Sequence, residues 1–257
     1  MKIAVIGSGN IATFFSLQMH QAGLEIIQIV SKTELHAKEL ATHFNCAYTN
    51  NIDELSQDAD VYLFAVRDDI LLEYAKTLNL NGKLVVHTAG SITLDNLSAM
   101  SAFRACIWCM YSIQKKVFPT QKNIPLIVNA TDNYSLEHLS ALARTISSTI
   151  YILPDQQKSM AHLAAVFANN FTNHLFTLAQ QLLEKENIPF ELLIPIIQNT
   201  VDKLSISLPK NNQTGPAIRH DEKTIAAHAQ LLENSPKLYA IYQLLTTSIQ
   251  EEYSNTK

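Results

Sequence analysis

Short runs of consecutive apolar, often β-branched residues recur through about the first 150 positions, each followed by an amphipathic stretch, and few folds accept that alternation. The runs Ile3-Ala4-Val5-Ile6 and Val61-Tyr62-Leu63-Phe64-Ala65-Val66 are apolar at every position. A strand covered on one face alternates in polarity; a strand covered on both does not. Helices must therefore flank both faces of the sheet. The expected strands are 2–6, 25–30, a weak 47–49, 61–66, 83–87, 105–109, 125–129 and 149–153. The fold class expected is α/β, a doubly wound and mostly parallel sheet.

After Pro154 the strand signals stop and the period becomes helical. Ser159 to Glu186 contains neither Pro nor Gly, and Leu163, Val166, Phe167, Phe171, Leu175, Leu178 and Leu182 return at steps of three and four. This predicts a long, largely buried helix. At about 28 residues it would measure about 42 Å, more than a domain this small can cover alone, so a second subunit is expected on it. Further helices are expected at 190–208, 222–232 and 236–253, separated by the 209–216 breaker and by Ser235. The division expected is 1–154 for the α/β domain and 155–257 for an all-α domain.

Composition removes whole classes of function. Hydrophobic residues make up 47% and charged residues 16% of the 257, as in a chain with a real core. The net charge of −4 supplies no cationic field for nucleic acid. No apolar run approaches the roughly 20 residues of a membrane span. The apolar run behind Lys2 is too short for a signal peptide, and three cysteines cannot close a disulfide framework, so a cytoplasmic protein is expected.

The strongest local signal is Gly7-Ser8-Gly9-Asn10-Ile11-Ala12, which leaves the first strand and opens a helix. Gly7 permits the tight turn, Gly9 lets the backbone approach a pyrophosphate, Ala12 allows close helix–strand packing, and the free N–H groups face the anion. Dinucleotide binding is the expectation. The second strand ends in Ser31-Lys32-Thr33, with no acid to accept from a ribose 2′-hydroxyl but with groups suited to a 2′-phosphate, so NADP is favoured. Two further strand ends should face the cofactor: Ala65-Val66-Arg67 and His87-Thr88-Ala89-Gly90-Ser91. Arg67 is either a ligand for adenine or phosphate, or one half of a surface ion pair with Asp68 or Asp69. His87 is either a cofactor-side residue or a strand-end histidine satisfied by its neighbours.

Cys106 and Cys109 have the spacing of a redox or zinc pair, but in a strand residues three apart face opposite ways. With no His-x-x-x-His pair either, no metal is expected. On the long helix, His162, Asn169 and Asn173 are separated by seven and four residues, which on a regular helix gathers them on one face beside Asn170. Such a face either satisfies itself internally or binds something polar. In the second case His162 can donate a proton while Asn169 and Asn170 hold the reacting groups and Asn173 holds substrate. Arg219, after Gly215-Pro216, either meets an anionic substrate group or pairs with an acid, and Asp221 is placed to cap the next helix.

Four segments carry a resemblance over the whole chain: residues 7–12, Val-Val-His-Thr-Ala-Gly-Ser at 85–91, Leu-Ala-Ala-Val-Phe-Ala-Asn-Asn-Phe at 163–171, and Thr-Gly-Pro-Ala-Ile-Arg-His-Asp at 214–221. With them the chain resembles the Rossmann-like DUF2520 family of NADP-dependent oxidoreductases, related to pyrroline-5-carboxylate reductases and β-hydroxyacid dehydrogenases. The resemblance implies a nucleotide-binding N-terminal domain, a helical C-terminal domain and a homodimer built through the helices. It implies hydride transfer to or from a small carbonyl or imine. Two departures stand out. β-Hydroxyacid dehydrogenases carry a catalytic Lys three residues before the first of the paired Asn, where this chain has Val166, and a family segment reading like Tyr-Pro-Leu-Gln-Thr is here Met110-Tyr111-Ser112-Ile113-Gln114. His162 is the expected replacement for the Lys. The rival reading is a protein that senses NADP(H) without turnover, and a third is a reductase for a deazaflavin cofactor.

Overall fold

Eight strands form one sheet in the order β3-β2-β1-β4-β5-β6-β7-β8. They are β1 (Lys2–Ile6), β2 (Glu25–Val30), β3 (Ala47–Thr49), β4 (Val61–Phe64), β5 (Leu84–His87), β6 (Arg104–Cys109), β7 (Leu126–Ala130) and β8 (Ile150–Ile152). Neighbours run parallel except β6 and β7, which pair antiparallel with Ile107 opposite Val128. The computed structural model describes residues 1–114 and 123–254. Every expected strand is present, β1, β2 and β3 with the expected ends and the others with ends shifted by one or two residues.

Consecutive apolar positions divide between two cores. Ile3, Val5, Ile29, Leu63 and Ile107 point to one face, where they meet helices α1 (Asn10–Gln21), α2 (Glu34–Thr42) and α4 (Asn133–Ile146). Ala4, Ile6, Val30, Tyr62, Phe64 and Val85 point to the other, against α3 (Asp68–Thr77) and the segment holding Leu97 and Met100. Ile3, Val5, Leu63 and Val85 are fully enclosed, and each such side chain contributes about 1.5–3 kcal/mol. The order reverses direction at β1, with β2 on one side and β4 on the other, which opens a crevice beyond their carboxyl ends.

The remainder is helical: α5 (Asp155–Ala165), a π-helical segment (Val166–Phe171), α6 (Thr172–Glu184), α7 (Ile194–Asp202), α8 (Glu222–Leu231) and α9 (Pro236–Tyr253). By contacts the chain divides into Met1–Ala168 and Asn169–Lys257. α5 therefore goes with the sheet, whereas the polarity pattern divides the chain at Pro154, where the strand signals end.

The expectation of a largely buried long helix is corrected. Leu163 and Phe171 are 50% exposed and Phe167 62%, and in α5 Lys158 is the buried residue. The helical period holds, but among the described residues nothing encloses the face that it defines. Among the described residues of the second unit, only Ala217 and Leu232 are buried.

Candidate functional site

The glycine turn sits at the point where the strand order reverses. Gly7 has φ +125°, and a Cβ there would lie 2.2 Å from the carbonyl oxygen of Ala65 at the end of β4. Its N–H donates to Val30 O at 2.8 Å. Only glycine lets β1 turn this close to both neighbours. Ala12, fully buried, lies 3.5 Å from that same Cβ position, as the close packing of α1 requires. Gly9 has nothing within 4 Å of its Cβ position, so the turn is open on its outer side. Gly9 also caps α1, whose first turn has neither an acidic residue nor a side-chain cap. Asn10, Ile11 and Ala12 thus open a helix whose first turn carries no acidic residue to repel an anion.

Ser8 and Ser31 join this turn to the end of β2, their hydroxyls 2.6 Å apart. Lys32 and Thr33 follow, both exposed, with Thr33 at the N-cap of α2 but making no side-chain cap bond. Val66 is half-buried beyond Ala65. Arg67 donates to both carboxylate oxygens of Asp69 on the open surface, the ion pair weighed as its alternative role. Together, a turn that only glycine can make, a helix start free of acids and the polar residues 31–33 at the end of β2 fit a dinucleotide with its diphosphate on the turn.

The end of β5 is built differently. His87 is wholly enclosed, and its Nδ1 accepts from the Ala89 N–H at 3.2 Å while Nε2 has no partner among the described residues. Burial, reinforced by the Lys158 charge, pushes its pKa down to about 3. It is a neutral strand-end histidine, and its enclosure puts it out of reach of a molecule lying on the surface. Thr88 donates its N–H to Phe64 O, and Ser91 donates its hydroxyl to Asp68. Gly90 carries the decisive contact: a Cβ there would lie 2.6 Å from His162 Cδ2 and 2.9 Å from Trp108 Cε2. His162, on α5, meets the edge of the Trp108 ring at 5.3 Å between centroids. Neither imidazole nitrogen of this half-buried histidine has a hydrogen-bond partner among the described residues.

Beneath this contact lies a group that the sequence reading missed. Lys158 is 0% exposed, donates to Ile92 O and pairs with Asp155 at 3.0 Å. Asp155 also accepts from Leu94 N at 2.8 Å and from Asn129 Nδ2 at 3.2 Å. Burial alone would raise its carboxyl, but these three donors hold it below the ordinary range. Cys106 lies in the same enclosure, its thiol pushed up to about 12 by burial, while Cys109 faces the opposite core. Both are free thiols, and the strand geometry separates them as expected. The only sequence sign of Lys158 was an acid and a lysine three apart, a spacing that usually marks a solvated pair.

Of the second-unit candidates, Asn169 and Asn170 occupy the π-helical segment and Asn173 the first turn of α6, all exposed. The widened turns of a π segment shift the helical phase, so the seven-residue step from His162 to Asn169 no longer implies a common face. Their exposure also removes the cost of burying them. Arg219 is exposed, and the Asp221 carboxylate caps α8 through Thr224 N at 3.2 Å and Thr224 Oγ1 at 2.8 Å. No helix is long and apolar enough to cross a membrane, among the described residues.

Comparison with known proteins adds two family models and several solved structures. Residues 2–90 match "NADP oxidoreductase coenzyme F420-dependent", and residues 124–249 match the domain of unknown function DUF2520. A crystal structure of the "putative NADP oxidoreductase BF3122" from Bacteroides fragilis is 36% identical, covers 97% of this chain and 98% of its own, and superposes with a TM-score of 0.88. An imine reductase from Myxococcus stipitatus in complex with NADP+ shares the fold at 15% identity, with coverage of 98% and 93% and a TM-score of 0.71. So does a 1-pyrroline-5-carboxylate reductase from Streptococcus pyogenes, at 14% identity, coverage of 98% of each chain and a TM-score of 0.61. No curated protein matches the chain.

Proposed function

The chain belongs to the DUF2520 family of NADP oxidoreductases, and from that premise we propose that it is an NADP(H)-dependent reductase of a small imine or carbonyl compound. One observation carries the reading: within a single unit, an open glycine turn and an imidazole unpartnered among the described residues stand beyond the carboxyl ends of β1 and β5 of one mostly parallel sheet. A dinucleotide with its diphosphate on residues 7–12 would run past the ends of β4 and β5, toward Thr88, Gly90 and His162. When bound, the cofactor supplies the hydride.

The protein supplies orientation and a proton. Ser31, Lys32 and Thr33 would hold a 2′-phosphate, since no acid stands there to repel it. His162 lies four residues before Val166, the position of the missing family lysine, and is the residue we assign in its place: its unpartnered nitrogen would donate the proton that balances hydride addition to a C=N or C=O group. Asn169, Asn170 and Asn173 present amides in and just after a π segment, a feature frequent at functional sites. They would fix the reacting groups, with Arg219 available to an anionic substituent. Support for an imine comes from the fold shared with the imine and pyrroline carboxylate reductases.

The uncovered helical unit supports a homodimer. Leu175, Ile196, Leu208 and Leu244 are between 39% and 74% exposed, and so much apolar surface calls for a covering partner. A second copy of the chain is the partner we assign. The test of function is NADPH oxidation at 340 nm over a panel of cyclic imines and small carbonyls. Turnover that falls about 100-fold or more in His162→Gln supports the reading. Tight NADPH binding without turnover across the panel would instead favour a sensor of the dinucleotide.

A further inference from the structure

We propose that the buried pair Asp155 and Lys158 consists of positioning residues that hold His162 on Gly90, a proposal that rests on the reading of His162 as the proton donor. The argument begins with an energetic oddity. A wholly enclosed ammonium costs several kcal/mol of desolvation, and replacing a buried ion pair by apolar residues is often neutral or stabilising. Stability alone therefore does not account for Lys158.

What an apolar pair lacks is direction. Lys158 Nζ fixes the carbonyl of Ile92, and Asp155 fixes the N–H of Leu94, so both backbone groups of the segment after β5 are pinned to the first turn of α5. Asn129 on β7 anchors the same carboxylate from the sheet. His162 follows Lys158 by four residues, hence on the same face of α5 one turn on. The helix is thus tied to this segment at Ile92 and Leu94 by charge, and at Gly90 by a contact that no other residue permits. Without the polar tie, van der Waals contact with Gly90 and Trp108 is what remains, among the described residues, to set the place of the imidazole. Reacting groups must be held to within about 1 Å to act.

Trp108 is the only tryptophan of the chain, so its fluorescence reports on this contact alone. An imidazole at the edge of an indole alters its emission, so removing or displacing His162 gives an emission step. The groups around the neighbouring ion pair are His87 from β5 and Cys106 from β6, and both titrate well away from neutrality.

The experiment compares the full-length wild type with His162→Gln and with the doubly neutral Asp155→Asn/Lys158→Met, which keeps the enclosure free of unpaired charge. At a single pH the wild type should differ from His162→Gln by a step in Trp108 emission that marks the contact. In the double variant, with far-UV circular dichroism and NADPH affinity unchanged, the step should shrink roughly threefold or more, and any turnover should fall in kcat with little change in KM. A full-sized step in the folded double variant overturns the proposal. If that variant does not fold, hydrogen exchange on the wild type decides: the Leu94 amide must be as protected as the amides of β5, and exchange at a loop rate overturns the proposal. Failure of the functional reading looks different, since His162→Gln would then retain turnover while the emission step still depended on the ion pair.

Discussion

Gly7 and Gly9 are two residues apart and do different work, which substitutions should separate. Gly7→Ala would put a methyl 2.2 Å from the Ala65 carbonyl at a φ of +125°, and should cost about 2 kcal/mol or more, read as a lower urea midpoint. Gly9→Ala meets no neighbour and should leave that midpoint within about 0.5 kcal/mol of wild type while weakening the dinucleotide about tenfold or more. His87 makes a separate prediction. Its pKa in the fold is about 3 against an ordinary 6.5, so the folded state keeps it neutral where the unfolded chain takes up a proton. Its contribution is present in full above pH 6.5 and is lost as pH falls toward 3, at up to about 1.4 kcal/mol per pH unit. In His87→Asn the loss of stability between pH 6.5 and 4 should be flatter than in wild type by up to one proton. Equal slopes would mean that the imidazole is solvated. The sequence showed the glycines because a strand–turn–helix context gives each a distinct demand. It did not show Lys158, whose burial depends on Ile92 and Asn129, far from it along the chain.

At the scale of the element, the sheet was readable because doubly covered strands such as β4 print their burial at every position, whereas the edge strands β3 and β8, each exposed at two of three positions, do not. The helix after Pro154 was readable as a period but not as a shape. A π segment needs only one extra residue per turn, and Val166–Phe171 has no composition that marks it, so counting by seven does not establish a common face for His162 and Asn169. The segment itself is testable. Deleting Ala168 should restore regular helix and keep far-UV circular dichroism, yet abolish imine or carbonyl turnover because Asn169 and Asn170 are swung out of phase. Retained turnover would mean that the π turns are incidental.

For the whole molecule, a helical unit with two buried residues among those described is not a self-sufficient fold. Light scattering at micromolar concentration should give twice the 28.7 kDa of one chain, and a monomer would leave the exposed leucines unexplained. The exposed apolar face of this unit is legible in the sequence only as surplus hydrophobicity. The central claim, however, is that the turn at residues 7–12 clasps a diphosphate. Calorimetry on the apoprotein tests it directly: NADPH should bind with a Kd of about 1–10 μM, equivalent to roughly 7–8 kcal/mol, and Lys32→Glu should shift preference toward NADH. Heats no larger than dilution for both dinucleotides at millimolar concentration would contradict it.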